Sequence, residues 1–275
     1  MEILNLKEKF AQMGAVLDVE FLPERQWARR NRPVTFLLDV NSTGQQERFT
    51  LTAPAQKLAE LDLRVVDLRP AERHLLLLSA EKDPAGKPRK EKFLCGHDER
   101  HWFVAPVPGQ RGIANVFQAM EALKPGGVAQ LQRRAGVRRK DWQKRRNAGY
   151  LRQGEWFFLP QPEFAPTSEA LLFAWEPITR PGGQPHLVEE LCRIGGETVY
   201  VCAQRPRGVN EANYKWLIEH NRKARNWNWR PMRRDPRVWA RGKVRHPDHA
   251  TITLPFWHRV LMSGESRDAR VAFLD

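Results

Sequence analysis

Two short clusters of histidines and acids carry the residue types from which catalytic and metal sites are built. The first cluster spans 95–101 (Cys-Gly-His-Asp-Glu-Arg-His), and the second spans 246–249 (His-Pro-Asp-His), with His258 farther along the chain. Side chains two positions apart share one face of a strand, so alternate residues of the first cluster would converge if it is extended. Thiolate, imidazole and carboxylate groups bind zinc and also transfer protons. Both clusters are therefore candidate metal-binding or catalytic sites.

Specific roles can be assigned within these clusters. The predicted metal ligands are Cys95, His97 and His101. If the chain has an active site, its predicted acids and bases are Asp98, Glu99, His101, His246, Asp248 and His249. Neither cluster contains a paired C-x-x-C or an H-E-x-x-H motif, so capping of turns or plain ligand contact is the competing interpretation. No organic cofactor is predicted, and zinc or another divalent metal is the alternative.

The positive charge is concentrated in two segments. The chain has a formal net charge of +14 over 275 residues. Residues 133–152 and 222–245 carry net charges of +8 and +9, so the rest of the chain sums to −3. A charge that served solubility alone would be spread over the surface, whereas two basic blocks on a nearly neutral body are typical of a polyanion-binding footprint.

The second basic segment contains interleaved tryptophans. Aromatic rings stack on unpaired bases while guanidinium groups hold phosphates, a combination that favours single-stranded RNA. The predicted nucleic-acid contacts in this segment are Arg225, Trp227, Trp229, Arg230, Arg233, Arg234, Trp239 and Arg241. The alternative is that the tryptophans belong to the core and pair with arginines inside the protein.

The first basic segment has the outline of a helix-turn-helix. Gly136 would permit the tight turn, apolar residues on both sides would pack the helices, and the hairpin over 150–160 would form a wing. The second helix would present Arg138, Arg139, Lys140, Lys144, Arg145 and Arg146 to nucleic acid. Gln132 stands where the motif usually has a small residue, so a basic solvated helix on an ordinary domain is the competing interpretation.

The pattern along the chain predicts an α+β fold of short antiparallel strands with a few helices and a winged-helix-like segment in the middle. The apolar spacing predicts helices over 4–13 and 210–224. Three units are expected: residues 1–110, β-rich with a leading helix; 111–160, a basic helical segment; and 161–275, an α+β unit that contains the Arg/Trp-rich segment.

The amino-acid composition indicates the cellular compartment of the protein. The three cysteines are too few and too scattered for a disulfide framework, which indicates a reducing environment. No run of about 18 apolar residues is present, and the N-terminus lacks the pattern of a secretory signal. The sequence therefore predicts a cytoplasmic protein that does not associate with membranes.

These observations lead to three functional hypotheses. The first is a nucleic-acid-binding protein without catalysis, with RNA favoured over DNA because of the tryptophans. The second is a nuclease, either metal-dependent or based on histidine and aspartate, that uses the two clusters. The third is a basic subunit of a larger assembly, such as a ribonucleoprotein, that docks on an acidic protein partner. Proximity of the two clusters within one cleft would favour the nuclease.

Overall fold

The computed structural model describes residues 3–29, 34–43, 46–55, 61–82, 86–109, 112–168, 170–180 and 183–264. Its helices are α1 Ile3–Gln12, α2 Glu24–Arg29, α3 Val116–Leu123, α4 Val128–Arg134 and α5 Glu211–His220. The strands that precede α3 are β1 Leu17–Leu22, β2 Leu37–Thr43, β3 Gln46–Pro54, β4 Asp62–Arg69, β5 His74–Lys82, β6 Pro88–Asp98 and β7 His101–Val107. Those that follow α4 are β8 Arg146–Asn147, β9 Tyr150–Gln153, β10 Trp156–Pro160, β11 Leu171–Ile178, β12 His186–Ile194, β13 Glu197–Cys202, β14 Arg205–Asn210, β15 Arg230–Arg234, β16 Arg237–Arg245 and β17 Ile252–Met262.

The first seven strands form two sheets that share one core. In the smaller sheet, β3 lies between β1, which runs parallel to it, and β2, which runs antiparallel. Strands β4 to β7 form an antiparallel meander. The helix predicted over 4–13 is present as α1, which buries Leu6 and Phe10 against the shared core. The Phe10 and Phe49 rings meet edge to face at 4.9 Å between centroids, a favourable aromatic geometry.

The other side of the meander is covered by α3. Buried side chains of β5, β6 and β7 pack there against Val116, Ala119 and Leu123. The β6–β7 hairpin has a tight turn in which Glu99 has φ +50°, a left-handed conformation that few side chains adopt without strain. This turn projects Asp98 and Glu99 beyond the sheet toward the second half of the chain.

The second half is built on a seven-stranded antiparallel sheet in the order β11-β12-β16-β17-β10-β9-β8. Register shifts interrupt the pairing between Val188 and Glu190 and between Ala240 and Gly242, and such bulges bend the strands that carry them. The β9–β10 turn reaches the β16–β17 turn, where the Gln153 side-chain amide donates to the carbonyl of Ala250 at 2.7 Å. The sheet therefore brings two distant hairpin turns together.

A small module, residues 197–234, is inserted between β12 and β16. It consists of a three-stranded sheet in the order β14-β13-β15 together with α5, whose N-cap is Asn210. The Asn210 side chain accepts a hydrogen bond from the backbone N–H of Asn213, as an N-cap residue does. Ile194 and Arg237 pair at the adjoining ends of β12 and β16, so the module is attached at that end of the large sheet.

The predicted α+β class is wrong, because the chain is mostly β: strands hold 50% and helices 21% of the structure. The winged-helix-like segment is also wrong, since only α4 and a single 3-10 turn at Arg139–Asp141 occur around Gly136. The carbonyl of Trp142 accepts hydrogen bonds from Lys124, Gln132 and Tyr150, which withdraws it from any helical ladder. The expected wing, β9 and β10, belongs instead to the seven-stranded sheet.

None of the helices in the described ranges is long and apolar enough to cross a membrane.

Candidate active site

Three hairpin turns from both halves of the chain meet at one place. The β6–β7 turn supplies Asp98, Glu99 and His101, the β9–β10 turn supplies Gly154 and Glu155, and the β16–β17 turn supplies His246, Asp248 and His249. His186, the first residue of β12, completes the group. The Nδ1–H of His249 donates to the Glu99 carboxylate at 2.9 Å, and His101 Nε2 lies 3.9 Å from Asp248 Oδ1. The two clusters that the sequence singled out are therefore in direct contact.

A cavity of about 630 Å³ opens among these turns, a volume within the range of small-molecule sites. One part of its wall is apolar and comes from β6, β7 and α3, including Leu94, Phe103, Ala105 and Met120. The other part is polar and charged, and includes Asp98, His101, Arg145, Arg152, Glu155, Arg180, His246, Asp248 and His249. A ligand with both a flat apolar group and a charged group matches this division.

Three histidines lie side by side against the cavity. A ligand atom from each of His186, His246 and His249 lies within 4.8 Å of the other two, and the ring centroids are 4.2 to 5.6 Å apart. Gly154 has no side chain, and this leaves a space that the rings of His186 and His249 face. A Cβ at this glycine would lie 2.9 Å from His249 Nε2 and 3.3 Å from His186 Nε2, so both nitrogens border one small volume.

Hydrogen bonds fix the protonation pattern of two of these rings. The Gln153 amide nitrogen donates to the carbonyls of Val244 and Ala250, so its oxygen is an acceptor and His186 Nδ1–H donates to it at 3.0 Å. His249 donates from Nδ1 to Glu99 in the same way. Each neutral ring therefore keeps a lone pair on Nε2, and this arrangement is typical of metal-binding histidines and their supporting hydrogen bonds.

His246 is arranged differently. Its Nδ1 accepts a hydrogen bond from the backbone N–H of Asp248 at 3.1 Å, so the neutral ring carries its proton on Nε2. In this orientation the ring donates a hydrogen bond from Nε2, and it would have to turn over to present a lone pair there. His246 is therefore suited to hold an anionic oxygen beside the other two histidines.

Glu155 places a buried carboxylate next to His186. Its Oε2 is 3.7 Å from His186 Nε2, and its Oε1 is 3.6 Å from Arg180 Nε. Burial alone would raise the pKa of this carboxyl, but the interaction with His186 and the charge of Arg180 outweigh burial and lower the pKa. The Glu155 carboxylate and His186 Nε2 attract each other only when a proton or a cation lies between them, so this pair of atoms can hold either one.

His246 and His249 are neutral at neutral pH. Burial lowers the pKa of His246 to about 4, with a further contribution from His186 and His249. Burial also lowers the pKa of His249 to about 4, assisted by His186 and by Arg145. Neutral imidazoles are the form that binds a metal ion.

A second histidine–carboxylate pair lines the same cavity. His101 Nδ1–H donates to Glu47 Oε1 at 2.5 Å, and the other oxygen of Glu47 accepts the backbone N–H of Trp102 at 2.7 Å. His101 Nε2 is left with a lone pair near Asp248. A histidine oriented through Nδ1 by a carboxylate is the arrangement of a general base, and Asp248 would stabilise the imidazolium once a proton is taken.

Arginines from the first basic segment enter this site. Arg145 pairs with both Asp98 and Glu99, and Arg152 lies 3.3 Å from Asp98. Burial, with the charge of Arg152 adding to it, lowers the pKa of Arg145 to about 10, so the guanidinium remains charged at neutral pH. These cations lie where the oxygens of a bound phosphate could reach them.

The structure places the predicted metal ligands Cys95, His97 and His101 apart. Cys95 is fully buried in the N-terminal core, where burial raises the pKa of its thiol, and His97 packs edge to face on Trp102. The segment is not one continuous strand, because β6 ends at Asp98 and the turn intervenes before His101. Within the described ranges, the close set of potential ligands is His186, His246 and His249.

The predicted nucleic-acid residues fall into two groups. Most of the cations are exposed, namely Arg138, Arg139, Lys140, Lys144, Arg146, Arg225, Arg230 and Arg233. Arg234 donates to the carbonyls of Arg207 and Gly208, and Arg241 pairs with Glu190. Trp227 and Trp229 are half-buried, whereas Trp239 is only 5% exposed and stacks on Phe164. Trp239 is thus a core residue.

Sequence reasoning missed Glu47, Gln153, Glu155, Arg180 and His186. His186 begins an apolar strand and stands apart from the other histidines in the sequence, so it gave no local signal. The segment Gln153-Gly154-Glu155 did give a signal, because a glycine between two long polar residues at a hairpin turn can bring both side chains close to a ligand.

No protein-family model, no curated protein and no solved structure matches this chain.

Proposed function

We propose that the protein is a metal-dependent nuclease that hydrolyses a phosphodiester bond in the cavity between its two halves. The observation that carries this proposal is the convergence of the His186 and His249 Nε2 atoms under Gly154, each held from behind by a hydrogen bond at Nδ1. The buried Glu155 carboxylate provides a third ligand. Two histidines and one carboxylate form a common ligand set of hydrolytic zinc sites and of other divalent transition metals.

Metal binding would draw the site together. Bonds of about 2.1 Å allow two ligand nitrogens to be at most about 4.2 Å apart, and the ligand nitrogens of His186 and His249 lie within 4.8 Å of each other. The ion would polarise a phosphate oxygen and increase the acidity of the attacking water. A small closing motion on metal binding is therefore part of the proposal.

The protein side chains would perform the remaining steps. His101 Nε2 takes a proton from the attacking water, and Glu47 and Asp248 stabilise the resulting imidazolium. The water oxygen forms a bond to phosphorus while the bond from phosphorus to the leaving oxygen breaks. The leaving oxygen takes up a proton from solvent, and the products are a phosphate monoester and a hydroxyl group. Arg152, Arg180 and the Nε2–H of His246 hold the phosphate oxygens during this displacement.

Nucleic acid is the substrate class that best matches the surroundings. The faces of a base are flat and apolar, and its phosphate is anionic. A nucleotide therefore matches the apolar and the charged parts of the cavity wall. The exposed cations of 133–146 lie outside the cavity and would hold neighbouring phosphates. A second candidate function, nucleic-acid binding without cleavage, is favoured by these outer cations alone, since they do not depend on the histidine site.

The test is a cleavage assay on labelled single-stranded and duplex DNA and RNA, with Mg²⁺, Mn²⁺, Zn²⁺ or Ni²⁺ and with chelator. The parent protein should cleave at least one substrate with at least one ion and none in chelator. Glu155→Gln, His249→Asn and His101→Ala should each reduce the rate by about 100-fold or more. Glu163→Gln, which changes an exposed glutamate that does not line the cavity, is the matched control and should cleave at the parental rate.

Two outcomes would overturn the proposal. One is the absence of cleavage across the whole panel, and the other is cleavage that all three site variants retain, which would identify a contaminating enzyme. Nucleic-acid binding that persists without cleavage would support the second candidate function.

A further inference from the structure

We infer that the module of residues 197–234 is a separate binding surface for single-stranded nucleic acid, with Trp216 as its stacking platform. Trp216 lies on the outer face of α5 and is 58% exposed, the most exposed tryptophan in the described ranges. His220, one turn later, lies parallel to it at 5.0 Å between centroids and 16° between planes. The pair leaves the outer face of the indole open to a base.

This platform is fixed in position before a ligand arrives. The His220 ring donates from Nδ1 to the carbonyl of Trp216 at 3.0 Å. On the inner face of α5, Tyr214 stacks on Tyr200 of β13 at 3.9 Å, and Trp229 packs edge to face on Tyr214. Because these inner rings attach the helix to the sheet, Trp216 presents its ring on a rigid support, which reduces the entropy lost on binding.

The charge of the module identifies the partner. Residues 197–234 contain nine Lys and Arg residues against three Glu, a net charge of +6. Arg222 and Lys223 follow directly after α5 and are exposed, and Arg230 and Arg233 are exposed on β15. An open aromatic face in a basic module suits an unpaired base with its flanking phosphates, whereas the bases of a duplex present no free faces.

The position of the module suggests how a strand would reach the cavity. His186 begins β12 at the histidine site, and the module is attached where β12 ends at Ile194. Eight residues of strand extend about 25 Å, which corresponds to about eight stacked nucleotides. The inference that this surface holds a substrate for cleavage rests on the proposed function. Binding of single-stranded nucleic acid by the surface does not depend on it.

The test is fluorescence anisotropy in chelator, so that no cleavage is required. The probes are a labelled 20-nucleotide oligo-U, a labelled oligo-dT of the same length and a 20-base-pair duplex. Trp216→Ala should weaken binding of the single strands by about 5- to 100-fold, the effect of losing one stacked base. Trp216→Phe should restore most of the affinity. The control Trp175→Ala removes an exposed tryptophan outside the module and should bind as the parent does.

Further variants test the contribution of charge to this surface. Arg230→Ala and Arg233→Ala should each make the slope of log affinity against log salt concentration shallower by about 0.7 for a single strand. Parental affinity in Trp216→Ala would overturn the inference. An equal loss on the duplex, or equally strong binding to phosphatidylserine vesicles that Trp216→Ala abolishes, would also overturn it, since the surface would then be a general polyanion or membrane site.

Cleavage kinetics distinguish failure of this inference from failure of the proposed function. If both hold, Trp216→Ala should raise KM for a 20-nucleotide substrate and leave kcat unchanged, while cleavage of a four-nucleotide substrate should not change. If the chain does not cleave nucleic acid, the binding defect in chelator should remain.

Discussion

The Glu99 carboxylate accepts a hydrogen bond from His249 Nδ1 at 2.9 Å, across 150 positions of sequence. This contact joins the β6–β7 hairpin of the first half to the β16–β17 hairpin of the second. Glu99 reaches it from a left-handed turn with φ +50°, and strained backbone of this kind is often found at functional sites. The contact sets the tautomer of His249 and thereby leaves Nε2 available for an ion.

Removal of this carboxylate should weaken metal binding without removing a ligand. Glu99→Ala should lower the affinity for Zn²⁺ or Mn²⁺ by about 10- to 100-fold, the usual effect of losing a hydrogen bond behind a metal-binding histidine. Glu99→Gln should lower it less, because the amide oxygen can still accept from Nδ1. The measurement is calorimetric titration of chelator-stripped protein.

Glu47→Ala is the matched control for this prediction. Glu47 orients His101, which is not a ligand in the proposal, so this variant should bind the ion normally and lose cleavage only. Equal metal affinities for the parent and Glu99→Ala would contradict the assigned role of Glu99.

The stability of the metal-free protein should depend on pH through the buried histidines. The pKa values of His246 and His249 are about 4 in the folded protein, against an ordinary value of 6.5. Between these values the unfolded chain binds more protons than the folded one, so stability should rise with pH and fall on acidification from about 6.5 to about 4. Burial and the charges of His186 and Arg145 disfavour the charged form of these rings, whereas Glu155 and Asp248 favour it.

Urea unfolding in chelator at pH 7, 5.5 and 4.5 checks this dependence. His249→Asn should lose less stability than the parent between pH 7 and 4.5, because one of the two histidines no longer takes up a proton on unfolding. Parallel pH profiles for the two proteins would show that His249 titrates normally in the folded state.

A buried polar network around Trp142 should be required for stability. Gln132 is fully buried; its amide donates to the Trp142 carbonyl at 2.9 Å and its oxygen accepts from Lys124 at 3.0 Å. Gln132→Leu should destabilise the protein by about 1 to 3 kcal/mol, because it leaves buried polar groups with fewer partners. Tyr150→Phe removes only one of three donors to that carbonyl and should have a smaller effect, about 1 kcal/mol or less.

Chemical denaturation of both variants gives the comparison. A larger loss for Tyr150→Phe than for Gln132→Leu would mean that the Tyr150 hydroxyl is the main partner of the Trp142 carbonyl.

Six residues that the sequence singled out lie together at the candidate site, although the fold class predicted around them is wrong. His246, Asp248 and His249 were identified because they are adjacent in sequence, and their meeting with Asp98, Glu99 and His101 was the stated condition that would favour a nuclease. The meeting of His186 with Glu155 could not be predicted, because the two residues are separated by 31 positions and approach each other only in the folded structure. Local periodicity carries no information about such contacts.

The helix-turn-helix prediction failed for a related reason. Gly136 does adopt the left-handed conformation expected of a turn glycine, at φ +65°. The segment after it does not continue as a helix, because Lys124, Gln132 and Tyr150, which are distant in sequence, bind the Trp142 carbonyl. The local sequence therefore indicated the turn at Gly136 correctly. Tertiary hydrogen bonds to the Trp142 carbonyl prevented the second helix that the spacing had predicted. Trp239 shows the same limit, since its arginine-rich neighbours in sequence gave no indication that the ring stacks on Phe164 in the core.

The sharpest test of the metal site is a pair of glycine variants. Gly154 and Gly136 have similar left-handed conformations, with φ +56° and +65°. A Cβ at Gly154 would lie 2.9 Å from His249 Nε2 and 3.2 Å from the His186 ring, whereas a Cβ at Gly136 would meet nothing within 4 Å. Alanine at either position should cost about 1 to 2 kcal/mol for the left-handed backbone. Only the methyl group of Gly154→Ala would also enter the space between the two ring nitrogens.

Metal binding and stability should therefore separate in these variants. Gly136→Ala should be destabilised and should bind Zn²⁺ or Mn²⁺ with the parental affinity. Gly154→Ala should be destabilised by at least as much and should show no metal-dependent rise in Tm, because the methyl group occupies the position of the ion. The measurements are thermal unfolding with and without metal, and calorimetric titration at a temperature at which both variants are folded. Parental metal affinity in Gly154→Ala would place the ion elsewhere and would remove the basis for assigning His186 and His249 as its ligands.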